Sequence, residues 1–319
     1  MEKVMRALNV PAADAQPQLS ELPVPQVTEG SVLVRVKAAG LNAIDNALAA
    51  GMMAGRMPHE YPLVLGRDAA GVVEAVGAGV DHVAVGDEVV GHVLLAPPVH
   101  AGTLAEHALL PAAAVTAKPA GLDFVTAAAV PLAGAAALAS VDAVDPQPGR
   151  TVLVVGAGGG VGSYAVQLLA GRGATVVATG TAEDTDRLRR LGADTVIDYT
   201  TGPVADQVLA RYPDGVDGLI DLVAHGPDGL PLNAVCRGGK VASTLGAADS
   251  DVLAAAGLTG SNIMAGPVRE VIAPLVEQAA NGTLAVDVST VLPLDRAADG
   301  LAALANGKAH GKIVVKVSD

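Results

Sequence analysis

The sequence is poor in cysteine, aromatic side chains and positive charge. Its 319 residues include one cysteine, one phenylalanine, four tyrosines and no tryptophan. The single cysteine, Cys236, excludes an intrachain disulfide and a cysteine-rich metal site. With 20 basic and 33 acidic residues the net charge is −13 at pH 7. That balance argues against nucleic acid or an anionic membrane surface as a partner.

Long apolar runs are also missing, although 51% of the residues are hydrophobic and 17% are charged. No stretch reaches the roughly 18 uninterrupted apolar residues that a transmembrane helix needs. The first ten residues carry charged side chains in place of the apolar core of a signal peptide. We therefore expect a compact cytoplasmic protein with no membrane partner, and the length predicts two domains.

The most informative stretch is a short apolar strand followed by a glycine-rich turn and a helix. Residues 151–155 are β-branched or apolar without polar alternation, which is typical of a strand covered on both faces. In such a turn, backbone N–H groups approach a pyrophosphate at the helix N-terminus. Ala157 replaces the first glycine of a strict G-x-G-x-x-G, so a merely tight turn is the alternative. The predicted phosphate contacts are Gly156, Gly158, Gly159, Gly160, Val161 and Gly162.

The regular β-α succession continues well beyond this turn. Five further β-rich runs follow, at residues 174–180, 195–199, 216–223, 240–246 and 261–265. Right-handed crossovers fold such a succession into a doubly wound parallel sheet, and we assign residues 122–264 to this dinucleotide-binding domain. Residues 1–121 contain short strands set between glycines and prolines, which predicts a small barrel or sandwich. Residues 265–319 are similar in style, and we expect them to return to that first domain.

Ordered motifs along nearly the whole chain point to one family. They read G-L-N-A-I-D at 40–45, G-R-D-A-A-G-V-V at 66–73, V-G-A-G-V at 76–80, V-G-D-E-V at 85–89, G-T-L-A-E at 102–106, L-G-A-D at 191–194, I-D-Y at 197–199, R-G-G-K at 237–240 and G-K at 311–312. Together with the glycine turn they resemble the zinc-free quinone oxidoreductase branch of the medium-chain dehydrogenase/reductase superfamily. The resemblance implies an α/β fold, with a Rossmann sheet and a β-rich GroES-like barrel that holds the substrate, and a homodimer or homotetramer.

The same resemblance argues against a metal site. Where the zinc-dependent branch carries a ligand cysteine this sequence has Asn42, and where that branch reads G-H-E this sequence has Gly66-Arg67-Asp68. Without thiolates in the N-terminal region, neither a Cys/His catalytic zinc site nor a four-cysteine structural site can form. The seven histidines show no H-E-x-x-H spacing. We expect each of them to be a surface residue or a satisfied core residue, and no metal ligand.

The predicted cofactor is NADPH. An NAD-selective site places a carboxylate at the end of the second strand, whereas residues 179–181 read T-G-T, so no carboxylate repels a 2′-phosphate there. The resemblance adds a tyrosine at the end of the third strand and a cation just beyond the second. Arg187 or Arg189 supplies that cation only if its helix turns it inward; otherwise both are solvated surface charges. The predicted contacts outside the glycine turn are Thr179, Gly180, Thr181, Tyr199, Val223, Thr244 and Lys312.

The resemblance implies hydride transfer from the nicotinamide to a conjugated carbonyl compound, an enone or a quinone. The catalytic candidates are Asn42, for contact with the substrate carbonyl or the nicotinamide ribose, and Asp45, for orienting Asn42 or a water. Their alternative roles are a turn cap for Asn42 and the N-cap of the next helix for Asp45. The tyrosines common after G-L-N in the family are absent. No general acid is evident, and we expect solvent to deliver the proton.

Three alternatives remain open for the substrate and the role. The scarcity of aromatic side chains leaves little to stack on a flat quinone, so a smaller or aliphatic enoyl acceptor is an equal choice. A biosynthetic tailoring reductase or synthase acting on an unusual acceptor fits the same motifs. A catalytically silent NADPH-binding redox sensor fits them too, because the family's G-L-T-A reads G-A-A-A at residues 134–137.

Overall fold

The computed structural model describes residues 3–307 and 309–318 and divides the chain into two compact units. Unit 1 consists of Met1–Leu132 and Gly266–Asp319, and unit 2 of Ala133–Ala265. Residues 1, 2, 308 and 319 belong to the predicted first domain and lie outside the described residues. The first boundary falls later than the predicted 121/122, because the helix Phe124–Ala128 packs against strands of unit 1.

The strands and helices are numbered separately in chain order. The strands are β1 (Val4–Val10), β2 (Gln18–Pro23), β3 (Ser31–Gly40), β4 (Leu63–Val64), β5 (Asp68–Val76), β6 (Glu88–His92), β7 (His107–Pro111), β8 (Val115–Ala117), β9 (Thr151–Val155), β10 (Thr175–Gly180), β11 (Thr195–Asp198), β12 (Val216–Asp221), β13 (Val235–Ser243), β14 (Thr259–Asn262), β15 (Val288–Pro293) and β16 (Lys312–Lys316). The α-helices are α1 (Ala43–Ala49), α2 (Phe124–Ala128), α3 (Pro131–Val144), α4 (Gly160–Gly171), α5 (Thr185–Arg190), α6 (Val204–Leu209), α7 (Ser250–Ala255), α8 (Arg269–Ala280) and α9 (Ala297–Ala305). Among the described residues, no helix combines the length and the apolar composition needed to cross a membrane.

Unit 1 is β-rich and is organised around the long strand β3. One sheet has the order β2-β1-β4, and the other has the order β15-β16-β3-β5-β6-β8, with β7 also paired to β3. The β-branched Val32, Val34 and Val36 of β3 are buried in the core, as suits a central strand. The C-terminal segment joins this sheet through β16, which runs antiparallel to β3.

Unit 2 contains a six-stranded parallel sheet in the order β11-β10-β9-β12-β13-β14. This arrangement confirms the predicted doubly wound sheet, with the strand before the glycine turn at its centre. Val152, Leu153 and Val154 of β9 are fully buried, which explains the absence of polar alternation. The last strand, β14, lies two residues earlier than predicted, and all four of its residues are exposed at the sheet edge.

A proline and a glycine mark where two of these helices begin. The alanine-rich stretch 124–144 forms the two helices α2 and α3, because Pro131 begins a new helix instead of continuing the first. Helix α4 begins at Gly160, with Gly159 as its N-cap. The glycine turn therefore runs directly into the first helical turn.

Close packing makes Gly162 in α4 the most constrained glycine of the turn. A Cβ atom there would lie 2.3 Å from the Gly156 carbonyl oxygen and 2.5 Å from the Ala157 Cα. Both neighbours are backbone atoms, so the helix would have to move away from the strand end. The glycine is thus required by the distance between α4 and the turn.

We expect Gly162→Ala to lower the melting temperature, because such overpacking costs about 1–3 kcal/mol. Gly171→Ala is the matched control in the same helix, since its Cβ would meet nothing within 4 Å. Alanine is favoured over glycine in a helix by up to about 1 kcal/mol, so this control should melt at or above the wild-type temperature. Thermal unfolding followed by circular dichroism measures both variants, and equal melting temperatures would contradict the packing argument.

Candidate active site

The glycine turn of unit 2 is held by the neighbouring strand. Gly156 has a φ of 84°, a conformation that glycine adopts without strain. Its N–H donates to the Thr179 hydroxyl oxygen at 3.0 Å. The Thr179 side chain is buried and serves this bond. Thr179 therefore positions the turn, and its direct contact with the cofactor stays a prediction.

The other predicted cofactor residues of unit 2 lie at the ends of successive parallel strands. Gly180 ends β10, and Tyr199, Val223 and Thr244 follow the ends of β11, β12 and β13. The carboxyl ends of parallel strands share one edge of the sheet, where doubly wound folds bind their ligands. Tyr199 and Val223 are 54% and 57% exposed, so their side chains are open to a ligand. Lys312 is the exception, since it belongs to unit 1.

A buried carboxylate and an arginine lie directly beyond β10. Asp184 accepts hydrogen bonds from the Thr181 N–H and hydroxyl, both at 3.0 Å. Arg187 donates from Nη2 to Asp184 at 2.8 Å and to the Gly158 carbonyl at 2.9 Å. Helix α5 thus turns Arg187 towards the glycine turn, whereas Arg189 is exposed. The sequence left two alternatives for Arg187, a cation turned towards the cofactor or a solvated surface charge. The geometry favours the first.

Asp221, at the end of β12, escaped the sequence analysis. One of its oxygens accepts the N–H groups of Val223 and Ala224, at 3.1 and 2.7 Å. The other, Oδ2, is buried and has no hydrogen-bond partner within the described chain. Burial raises the pKa of Asp221. The sequence did contain a signal for this residue, because Asp221 is an acidic residue at the carboxyl end of an apolar strand. That end of a parallel strand lies at the ligand-binding edge of the sheet.

Unit 1 contains a second group of functional side chains, buried around the start of β5. We call it the polar cluster; its members are Asn42, Asp45, Arg67, Asp68, His92 and Lys312, all buried. They come from α1 and its N-cap, the segment before β5, and strands β5, β6 and β16. Two acidic side chains, Asp45 and Asp68, and two basic ones, Arg67 and Lys312, thus share one enclosed region.

Asp68 is the centre of the polar cluster. One carboxylate oxygen accepts from Nδ2 of Asn42 at 2.9 Å. The other faces Nδ1 of His92 at 2.7 Å and accepts the Leu132 N–H at 3.1 Å. His92 is also the register partner of Asp68 in the antiparallel pair β5–β6. The sequence analysis treated His92 as a surface or satisfied core residue, because only strand pairing reveals its partner.

The amide of Asn42 is fully occupied inside the cluster. Its oxygen accepts from Nζ of Lys312 at 2.6 Å, and its nitrogen donates to Asp68 and, more weakly, to the Gly40 carbonyl at 3.4 Å. Lys312 also donates to the Leu41 carbonyl at 2.8 Å. Contact between Asn42 and a substrate carbonyl stays a prediction, and it would require exchange of one of these bonds. The Lys312 ammonium is likewise engaged within unit 1.

Asp45 is the third residue of α1, so its alternative role as an N-cap is wrong. The N-cap is Asn42, whose backbone N–H donates to Oδ2 of Asp45 at 2.9 Å. Oδ1 of Asp45 is enclosed and lacks a partner in the part of the chain that is described. Burial raises the pKa of Asp45 to about 6, against the opposing charge of the Arg67 guanidinium. Burial also lowers the pKa values of Lys312 and Arg67.

Arg67 occupies the position where the zinc-dependent branch carries the histidine of G-H-E. Its Nη2 donates to the carbonyl oxygens of Val64 and Ala101. A guanidinium has no lone pair for a metal. Across the described residues, no group of three or more His, Cys, Asp or Glu side chains is placed to hold a metal ion.

Both units match models of known protein families. Residues 28–120 match the alcohol dehydrogenase GroES-like domain, and residues 191–315 match a domain described as zinc-binding dehydrogenase. An Arabidopsis thaliana protein named "NADPH-dependent alkenal/one oxidoreductase, chloroplastic" is 33% identical over 93% of this chain and 74% of its own length. The chain belongs to the medium-chain dehydrogenase/reductase superfamily and is an oxidoreductase.

Solved structures agree with this assignment. The quinone oxidoreductase from Coxiella burnetii is 26% identical, with a TM-score of 0.86 over 99% of this chain and all of the other. A structure described as an NAD-dependent alcohol dehydrogenase is 31% identical, with a TM-score of 0.88 over 98% of this chain and all of the other. Each name describes only the protein that carries it, and the two names give different reactions.

We expect Asp45→Asn to remove a stability change with pH. The Asp45 pKa of about 6 lies above its ordinary value of 3.8, so the folded state holds this proton more tightly. Through this group the wild type loses stability as pH rises from about 4 to about 6, by up to about 3 kcal/mol. The variant should gain stability relative to the wild type across that window and keep the gain above it.

Denaturant unfolding between pH 4 and 7 measures this difference. Asp81→Asn is the control in the same unit, because the Asp81 side chain is 98% exposed. Its unfolding free energy should follow that of the wild type throughout. A curve for Asp45→Asn that also runs parallel to the wild type would contradict the raised pKa.

Proposed function

We propose that this protein is an NADPH-dependent reductase that transfers a hydride to a conjugated carbonyl compound, an enone or a quinone. The observation that carries the proposal is the glycine turn at the ligand-binding edge of a parallel sheet, with Arg187 hydrogen-bonded to that turn. The Arabidopsis relative is named for NADPH and for alkenal and alkenone acceptors. The Coxiella neighbour is named for quinones.

The residues of unit 2 fit a bound dinucleotide diphosphate. A Cβ at Gly158 or Gly159 would meet nothing closer than 3.4 Å, so the outer side of the turn is open. The N–H groups at the start of α4 and the helix dipole favour the pyrophosphate charge. Bound NADPH supplies the hydride for the reaction. Gly156 and Thr179 keep the turn in place for this binding.

The charged residues beyond β10 support binding of the 2′-phosphate of NADPH. Asp184 lies just beyond the end of this strand, and its oxygens are engaged by Thr181 and Arg187. An internally satisfied carboxylate is not available to accept ribose hydroxyls, which is the role of the acidic residue in NAD-selective sites. We therefore assign the 2′-phosphate contact to Arg187, with Tyr199 and Thr181 beside it.

We also propose that the reaction is independent of zinc. Asn42 stands where the zinc-dependent branch has a ligand cysteine, Arg67 stands where it has the histidine of G-H-E, and the Arg67 guanidinium cannot coordinate a metal. Conjugated acceptors are already electrophilic, so protein donors can stabilise the developing enolate without a Lewis acid.

NADPH oxidation with a simple enone and with a quinone tests the function. We expect turnover of at least one acceptor with NADPH, at a higher kcat/KM than with NADH, and no loss of rate after dialysis against a chelator. Tight NADPH binding without turnover would favour one of two alternatives: a redox sensor, or a biosynthetic tailoring enzyme that reduces an unusual acceptor. Loss of activity on chelation, restored by zinc, would refute the zinc-free mechanism.

We expect Arg187→Gln to raise the Kd for NADPH by about tenfold or more, because hydrogen bonds to a charged group are worth roughly 1.5–3 kcal/mol. The Kd for NADH should change much less. Arg189→Gln is the matched control, since Arg189 is exposed on the same helix. Fluorescence titration with each cofactor gives the four constants. Equal weakening of NADPH and NADH would mean that Arg187 only supports the glycine turn.

A homodimer or homotetramer in the cytoplasm completes the proposal. The edge strand β14 is exposed along its length, and an unpaired strand edge is a surface that a second copy can extend. A single cysteine suits a reducing compartment. Light scattering of the purified protein distinguishes the monomer, dimer and tetramer.

A further inference from the structure

We propose that His92 is the proton donor of the reduction and that Asp68 holds it for that role. The inference rests on the proposed function, because it names the acid of the same reaction. The sequence analysis expected solvent to supply the proton, since no tyrosine follows G-L-N. The structure provides a different group, on the neighbouring strand β6.

The bonds of Asp68 determine which nitrogen of His92 carries a proton. Asp68 accepts from Asn42 and from the Leu132 N–H, so both of its oxygens act as acceptors. We therefore assign Nδ1 of His92 as the donor to Asp68 across the 2.7 Å contact. This bond fixes the ring orientation and leaves Nε2 as the nitrogen that takes up and releases a proton.

Nε2 is the open end of an otherwise enclosed side chain. The His92 side chain is 4% exposed. Among the described residues, no side chain or backbone group forms a hydrogen bond with Nε2. This nitrogen is also not fully enclosed, unlike the unpaired oxygen of Asp45. Nε2 therefore keeps a small solvent-accessible area, and we assign this atom to the contact with the acceptor.

The other titratable groups of the polar cluster do not meet this condition. Nζ of Lys312 is enclosed and donates to Leu41 and Asn42. Asp45 binds the Asn42 N–H with one oxygen, and its other oxygen is enclosed. Arg67 stays protonated at any pH of interest. The charges around the His92–Asp68 pair are thus Asp45, Arg67 and Lys312, one negative and two positive.

The step balances with the groups named. The β carbon of the acceptor receives the hydride that NADPH supplies, the C=C π pair moves to form the enolate, and the acceptor is reduced as the nicotinamide is oxidised. The Nε2–H bond of the imidazolium breaks, and its proton forms the new Cα–H bond. Neutral His92 then regains a proton from water. Asp68 stabilises the cationic ring before the transfer.

The test compares His92→Asn with the wild type on an enone that carries a methyl group on the α carbon. Asparagine places an amide N–H near the position of Nδ1, so the bond to Asp68 is kept while the transferable proton is lost. We expect kcat to fall by about a hundredfold or more. The Kd for NADPH should not change. In the wild type one face of the α carbon receives the proton, and in the variant this selectivity should be lost.

His107→Asn is the matched control. His107 is also a buried histidine of unit 1 paired with a carboxylate, with Nε2 3.0 Å from Glu74, and it lies outside the polar cluster. This variant should keep both kcat and the stereochemistry of the product. If His92→Asn does not fold, His92→Gln is used in the same comparison with the same expected result.

Each outcome decides the inference. A His92 variant that keeps the wild-type kcat overturns it, and so does one that turns over slowly but still protonates a single face. A slow variant that gives both stereoisomers supports it. A wild type that binds NADPH but reduces no acceptor would instead remove the proposed function on which the inference depends.

Discussion

The polar cluster of unit 1 depends on one constraint: charges taken out of water must find partners inside the protein. Asp68 meets it by accepting from Asn42 and the Leu132 N–H while also facing Nδ1 of His92. Lys312 meets it through the oxygens of Asn42 and Leu41. Removing one partner from such a network leaves a buried charge uncompensated, which costs far more than an exposed ion pair contributes. Each side chain of the cluster is therefore held in place by its partners. A side chain that positions a substrate or a proton needs such a fixed position.

The cluster also shows how buried charges of opposite sign influence one another. Arg67 and Lys312 lie close to two buried carboxylates, but burial outweighs their charge at Asp45 and raises its pKa to about 6. The incomplete compensation is visible in the enclosed Asp45 oxygen, which has no partner among the described residues. Shifted pKa values of this kind are concentrated at functional sites. The shifted pKa of Asp45 therefore distinguishes the polar cluster from the apolar core of unit 1.

Unit 2 solves a different problem, the binding of a large anion by a protein of net negative charge. In the proposed binding mode, backbone N–H groups and a helix terminus, which carry no formal charge, meet the phosphates together with Arg187, which is placed at the turn. Gly156 and Gly162 allow the strand, turn and helix to approach each other closely. Asp184 is satisfied locally, so its charge does not oppose the phosphates.

The sequence by itself determined the parallel sheet, the glycine turn and the family, because hydrophobic periodicity and glycine spacing are local properties of the chain. It also indicated Asn42, Asp45 and the strand-end residues as candidates. The tertiary structure decided the partners: His92 meets Asp68 only because β5 and β6 pair in one register. Lys312 reaches Asn42 across 270 positions for a similar reason, since β16 pairs with β3. Contacts between residues far apart in the chain leave no periodic signal, so only the folded protein reveals them.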